Sequence, residues 1–448
     1  MAGLDSKAFQ RQKRNKSLKT NALGSFVIKG AAMLVSLVAM PVYLNYFGNE
    51  SVMGVWFTLL SVLNWVLLFD FGVGNGLRSR LTLAFAKRDE SLACKLISSS
   101  YVLLGVISLC AFLVSAVVVR LINWNTVLGV SANVLSRDDL LASMMVVFSV
   151  IWLQFYLKLI TGVLYAMQMA VIPSLLTLTS NVLILFSALL YRPDSASKAL
   201  LYLSVSYGIS TVVPLLIASF IVLGRLLPFY SFRISDCSFT YAREIVNIGM
   251  RFFLLQLLSM AVFNTREVLI SSLVGVDQVV DYTVYFKVYS LISTFYLLAL
   301  TPFWSAITQA FAQHDFDWIR GVYKKGLGVL CLFSFAGVAA LIMFPFAVQI
   351  WLEDAAPETN YLTGLIFIIF NIEYMFINLN AHIENGIEKL GVQTAGYAIA
   401  VISLIGLSIL FSRVHPVWDS VMLASVIALV PMCCMQSVEL KKLFSAWR

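Results

Sequence analysis

Long apolar runs, without the period-two alternation of a barrel wall, dominate this chain. Twelve reach the roughly 20 residues that a helix needs to cross a bilayer. They lie at 22–46, 52–74, 96–122, 140–162, 170–191, 199–223, 246–272, 282–307, 326–350, 361–384, 391–412 and 419–440. Their continuity predicts helices, since a membrane strand alternates lipid-facing and lumen-facing side chains. The polar connections are short; the longest are 123–139 on one side and 224–245 on the other. The second of these falls at mid-chain. It divides a first lobe of six spans (22–223) from a second (246–440), with a basic N-terminal segment (1–21), a linker (224–245) and a tail (441–448). The expected architecture is an all-α polytopic membrane protein with 12 transmembrane helices in two six-helix lobes.

Composition agrees. Sixty per cent of the 448 residues are hydrophobic and 12% are charged, about half the charged share of a soluble domain. The distribution of charge then sets orientation. Of the 31 Lys and Arg, 21 fall on the side of the N-terminus, 5 on the opposite side and 5 within spans. The positive-inside rule places both termini in the cytoplasm. Trp124, Trp351 and Trp418 then mark the outer boundary, and Trp318 and Trp447 the inner one. The net charge of +8 therefore reports topology and contact with anionic phospholipids, not nucleic acid. The basic start runs into a full-length span, which predicts an uncleaved N-terminus.

Several chemistries find no residues to carry them. The six cysteines show no CxxC spacing and the three histidines are scattered, so neither a disulfide, a metal site nor a cofactor is expected. There is no GxxxxGK[ST] loop for ATP. No outer loop holds paired acids or a Ser/His arrangement, so no enzyme is expected. The class that is left is a secondary transporter.

Shifting the chain by 227 positions superposes Gly48 on Gly275, Glu50 on Asp277 and Val52 on Val279, together with the long helices around this turn. Two units of six crossings share one orientation, so the repeat is parallel, with a pseudo-two-fold axis along the membrane normal.

An ionised group at mid-bilayer costs about 2.5–3.5 kcal/mol on translocon scales. Nine of those within the spans are candidates: Lys29, Lys158, Arg251, Arg266, Lys287, Asp70, Glu267, Glu373 and Glu384. Lys158, Arg251 and Lys287 are near enough to a span end to snorkel, and Glu384 to be solvated. Lys29 sits about two turns in, which favours a cavity. On the repeat it falls opposite Gln256. Arg266 and Glu267 are adjacent, diverge by about 100° and cannot pair within their helix, so at least one needs a partner elsewhere. Arg251, Gln256, Arg266 and Glu267 together occupy less than half of the seventh span, which gives it a wet face. In the tenth span Asn371, Asn378, His382 and Asn385 form one stripe and Glu373, Asn380 and Glu384 the opposite one. One stripe can serve as polar glue between helices, while the other lines water or a proton path. A lone histidine such as His382 is more often held structurally than used as a relay.

The stretch MPVYLNYFGNESVMGVW (Met40–Trp56), followed by FDFGVGNGLRSRL (Phe69–Leu81), resembles the Wzx-type polysaccharide flippases of O-antigen and capsule synthesis, in the multidrug/oligosaccharidyl-lipid/polysaccharide (MOP) exporter superfamily. The resemblance implies a MOP/MATE-like fold in the bacterial inner membrane. It implies transfer of undecaprenyl-diphosphate-linked oligosaccharide to the outer leaflet, with a polysaccharide polymerase and a chain-length regulator as partners. It also implies a central cationic cavity lined by spans 1, 2, 7 and 8. The residues there are Lys29, Arg251, Gln256, Arg266 and Lys287 as substrate-binding candidates, with Asp70, Arg78, Glu267, Glu373 and His382 for ion coupling or gating. The chemistry is consistent, since a diphosphate needs fixed cations. Equally, the glycines of the second stretch can simply permit close helix packing. The alternatives are a multidrug cation antiporter of the same superfamily, a membrane polysaccharide polymerase or ligase, and a lipid II flippase.

Overall fold

The computed structural model describes residues 12, 20–21, 23–24, 27–32, 34–35, 38–39, 42–43, 45–48, 50–68, 72–128, 130–191, 193–233, 236–275, 278–352 and 359–447. The described residues of 20–47 are helical (α1). Then follow α2 Glu50–Leu68, α3 Val73–Lys87, α4 Glu90–Leu121, α5 Trp124–Leu128, α6 Arg137–Leu157, α7 Leu159–Ala166, α8 Val171–Leu190 and α9 Ala196–Ile221, which runs into a π turn at Val222–Leu226. Beyond it come α10 Phe239–Asn264, α11 Arg266–Leu273, α12 Gln278–Leu300, α13 Phe303–Ala312, α14 Phe316–Leu352, α15 Tyr361–Gly386, α16 Gly391–Val414 and α17 Trp418–Ala446. The chain forms two compact units, Lys19–Phe253 and Leu254–Arg448, divided within α10 rather than in the linker before it.

Ten helices among the described residues are long and apolar enough to cross a membrane. They coincide with the third to twelfth apolar segments, and the chain is a multi-pass membrane protein. Several segments that read as continuous are interrupted. The second gives way to α3 at Gly72, which has φ +68°. The eighth stops at Leu300 and resumes at Phe303, because Pro302 has no N–H to carry the ladder on. The fourth breaks at Lys158 and the seventh at Thr265.

Helix starts follow from caps. The side chains of Asp89, Ser136, Ser195 and Asn360 accept backbone N–H groups at the heads of α4, α6, α9 and α15. The ends carry the internal repeat. Among the described residues four non-glycines have positive φ: Arg88, Gln168, His314 and Glu388. At each, its N–H donates to the carbonyl three residues back, and the next N–H donates to the carbonyl five residues before itself. This is a Schellman stop. Arg88 and His314 follow α3 and α13 and lie 226 positions apart; Gln168 and Glu388 follow α7 and α15 and lie 220 apart. The paired turn glycines, Gly48 and Gly275, also both have positive φ, at 58° and 153°. The two halves thus stop helices at matched points with the same Schellman geometry, while the two turn glycines share only the sign of φ.

Burial repeats as well. The apolar windows of α4 and α14, the third and ninth segments, are each 17% buried, against 50% for α15. Exposed Val106, Leu109, Leu113 and Val117 on α4, and Leu332, Phe335, Ile342 and Phe346 on α14, form the lipid-compatible faces of their own units. In Lys19–Phe253 one hydrophobic core extends from Tyr43 to Ile245.

Candidate functional site

In Lys19–Phe253 the glycine-rich motif is a packing device. The Gly76 N–H donates to the Gly72 carbonyl at 2.8 Å and opens α3. A β-carbon at Gly72 would sit 1.8 Å from the Gly249 carbonyl oxygen, and one at Gly76 2.6 Å from that of Ile245. Gly74 backbone abuts Gly162 of α7, where a β-carbon would lie 2.9 Å from the Gly74 oxygen. Helix α3 is therefore wedged between α7 and α10 at backbone contact. Arg80 Nε pairs with Glu244 Oε1 at 2.9 Å across the α3–α10 contact. Arg78 is buried, its guanidinium 4.6 Å from the centroid of the Tyr165 ring on α7. Such a cation over a desolvated ring gains about 2 kcal/mol. Lys29 is half-buried on α1, and Arg251 is exposed on α10. Asp70 lies outside the described residues.

In Leu254–Arg448 the break at Thr265 sets Arg266 as the first residue of α11. Its side chain is 2% exposed. Nη2 donates to the Phe263 carbonyl at 2.7 Å, and the guanidinium lies 4.2 Å from the Phe370 centroid and 5.4 Å from that of Phe286. Its Nε and Nη1 have no hydrogen-bond acceptor among the described residues. Ring faces, rather than a salt bridge, surround this charge. Glu267 and Lys287 are exposed and Gln256 is half-buried.

The two stripes of α15 differ in how they are satisfied. On the first, the Asn371 amide donates to the Phe367 carbonyl at 2.9 Å and the Asn378 amide to that of Tyr374 at 2.8 Å. His382 Nδ1 lies 2.7 Å from the Asn378 carbonyl. A carbonyl only accepts, so Nδ1 carries the proton. These three side chains are tied back to their own helix, whereas Oδ1 of Asn385 on the same stripe is buried without a partner. On the opposite stripe, Glu384 is fully buried; its Oε2 accepts from Gln436 Nε2 of α17 at 2.9 Å while Oε1 has no partner. Both amide atoms of Asn380, Oε2 of Glu373, and Oε1 of Gln393 and Gln436 are likewise buried without partners. Buried polar atoms are nearly always paired, and each orphan costs about 1–3 kcal/mol. The unpaired oxygens of Glu373, Asn380 and Glu384 along one stripe are therefore suited to a proton or a small cation. The sequence does not set one stripe apart from the other, and Gln393 and Gln436 show in it only as amides inside apolar segments.

No family model matches this chain, and no curated protein matches it. Solved structures do. An outward-facing multidrug-resistance MATE transporter of the MOP superfamily is 14% identical with a TM-score of 0.76, covering 97% of this chain and 96% of that one. A MATE protein in a bent conformation is 13% identical with a TM-score of 0.80, covering 98% of both. A MOP superfamily transporter from Pyrococcus furiosus, whose binding pocket is described as having reverse polarity suggestive of a different function, is 14% identical with a TM-score of 0.77, covering 97% and 96%. The chain has the fold of MATE transporters of the MOP superfamily.

Proposed function

We propose that the protein is a flippase. In this reading it carries an undecaprenyl-diphosphate-linked oligosaccharide from the inner to the outer leaflet of the bacterial inner membrane by alternating access. Helices α1 and α2 supply two further crossings, for twelve in all, with both termini cytoplasmic. The observation that supports the reading is the placement of bases within apolar segments of this fold. Lys29, Arg251, Gln256 and Lys287 are the substrate-binding candidates; Arg251 and Lys287 are exposed, and Lys29 and Gln256 are half-buried, each in its own unit. Arg266 is a fixed, desolvated positive charge whose field is little screened. Glu373, with Asn380 and Glu384, receives the coupling proton or cation; Asp70, Glu267 and His382 are the further coupling candidates and Arg78 a gating one. A polysaccharide polymerase and a chain-length regulator are the partners that would consume and measure the product.

The test is mass spectrometry of lipid-linked oligosaccharides in a deletion strain complemented with Lys29→Gln or Arg266→Gln. Accumulation on the inner leaflet at normal expression is expected, and full export by both variants would remove the cationic path. A second reading, a multidrug cation antiporter, draws support from the MATE fold and the buried Glu373 and Glu384. Drug-resistance profiling of the same strain separates the two.

A further inference from the structure

Within Lys19–Phe253, a cavity of about 510 Å³ opens among α6, α7, α8 and α9. That is in the range of small-molecule sites, about 300–1,000 Å³, and far larger than a lone ion requires. Interrupted helices surround it, as is common at intramembrane binding sites. Helix α6 stops at Leu157 and α7 restarts at Leu159, with Lys158 at the break. Helix α9 contains Pro214, which cannot donate to the Ser210 carbonyl.

The wall both donates and accepts hydrogen bonds. The carboxamides of Gln154 on α6 and Asn181 on α8 each carry N–H donors and a carbonyl acceptor, and Tyr207 of α9 adds a hydroxyl that does both. Gln154 and the Tyr207 hydroxyl are hydrogen-bonded to each other. Gln154 Oε1 is still buried without a hydrogen-bond partner among the described residues. Two threonines add acceptors. Thr177 donates to the Pro173 carbonyl at 3.1 Å and Thr211 to that of Tyr207 at 2.8 Å, so each turns lone pairs to the cavity. Charge contributes little. Among the described residues no Asp or Glu lines the cavity, and Lys158, which does, is already engaged within the fold. Tyr207 also supplies apolar surface with Leu176 and Leu215, and its ring is held edge-to-face by Trp56 at 6.0 Å between centroids.

Few ligand classes match this set. A lipid tail would leave carboxamides and hydroxyls unpaired, at about 1–3 kcal/mol each. An organic cation would find no carboxylate and would meet Lys158. An anion would have to draw Lys158 from the interaction it already makes. A neutral sugar ring matches throughout. Each of its hydroxyls donates and accepts, so two neighbouring ones can bridge the N–H and the carbonyl of one carboxamide, and its C–H face lies on the apolar wall. We propose that this cavity is a binding subsite for a neutral sugar unit, a hexopyranose or N-acetylhexosamine without an acidic group. Its assignment to the transported glycolipid rests on the flippase reading, whereas the preference of the cavity does not.

The test is saturation-transfer NMR on the full-length protein, in a detergent without a sugar headgroup, titrated with methyl glucopyranoside and, separately, methyl N-acetylglucosaminide. Glucuronate and choline are the charged comparison ligands. At least one neutral pyranoside is expected to bind, and more tightly than either charged ligand. Asn181→Leu removes a donor and an acceptor together and should weaken that binding fivefold or more. Tyr207→Phe keeps the ring and loses the hydroxyl; it should weaken binding threefold or more, and it carries the test if Asn181→Leu does not fold. The proposal is overturned if neither pyranoside binds, if glucuronate or choline binds more tightly than both, or if the folded variant binds like wild type. Pyranoside binding alongside intact glycolipid export in the deletion strain would leave this subsite standing and remove the flippase reading. Lost export without pyranoside binding would do the reverse.

Discussion

Among the described glycines, the contact between Gly72 and Gly249 makes the sharpest demand on side-chain size. Gly72→Ala faces two separate costs. Its φ of +68° is left-handed, which costs an L-residue about 1–2 kcal/mol. Its β-carbon would also stand 1.8 Å from the Gly249 carbonyl oxygen, a backbone atom that cannot swing aside. Overpacking of this kind typically costs about 1–3 kcal/mol, so the sum is about 2–5 kcal/mol. Set against a total stability of about 5–15 kcal/mol, that is enough to lower the midpoint clearly or to prevent folding. Gly249→Ala meets the same contact from the other side, with its β-carbon 2.7 Å from the Gly72 oxygen, and should cost about 1–3 kcal/mol. Because both substitutions open one α3–α10 interface, the double variant should lose less than the sum of the singles. Gly328→Ala and Gly406→Ala are the controls: nothing lies within 4 Å of a β-carbon at either, and both are mid-helix, so each should be neutral or gain about 0.5–1 kcal/mol. The assay is the thermal midpoint of full-length protein in detergent, read as loss of the monodisperse peak on size exclusion. A Gly72→Ala midpoint equal to wild type, or a control that melts as early, would refute the reasoning.

Three other expectations follow from the buried polar groups and the turns. Arg266→Met keeps the length of the side chain and removes a charge with two unfilled donors, so the thermal midpoint should hold or rise while export is lost; a lower midpoint with intact export would contradict this. Gln436→Leu leaves Glu384 with neither oxygen bonded and should destabilise by about 1–3 kcal/mol, whereas Glu384→Gln should keep the midpoint and fail in an ion-gradient-driven transport assay. His314→Gly relieves a left-handed residue at a Schellman stop and should raise the midpoint by the equivalent of about 1 kcal/mol, measured in the same melt.

Membrane residence, the helical class and the positions of ten crossings were legible from the chain alone, because a bilayer admits few ways to satisfy a backbone and imposes a length that composition reveals. The breaks were less legible. Pro302 and Gly72 could be seen as residues but not as interruptions, since membrane helices often absorb both; packing at Gly249 decided the second. The glycine run Gly72–Gly76 read equally as a functional motif or a packing device, and only the approach of Gly249, Ile245 and Gly162 showed the close contacts. The repeat was visible as three matched positions near Gly48 and Gly275, yet its clearest mark, four left-handed stops at matched turns, involves Arg88, Gln168, His314 and Glu388, which no residue preference picks out.

The charged groups divide in the same way. The chain by itself determined that nine ionisable side chains occur where a bilayer should exclude them, because hydropathy is a property of sequence neighbours. What surrounds each was decided by tertiary structure, because partners come from distant segments. Aromatic rings of α12 and α15 enclose Arg266, Tyr165 of α7 receives Arg78, and Gln436 of α17 bonds Glu384 while the other orphan oxygens of its stripe stay open. Lys158 shows the difference most plainly. Along the chain it is a base near a span end, within reach of the interface; in the folded unit it sits at the break between α6 and α7 and lines a cavity with Ser180 and Thr211, which helices α8 and α9 bring to it from 22 and 53 residues away.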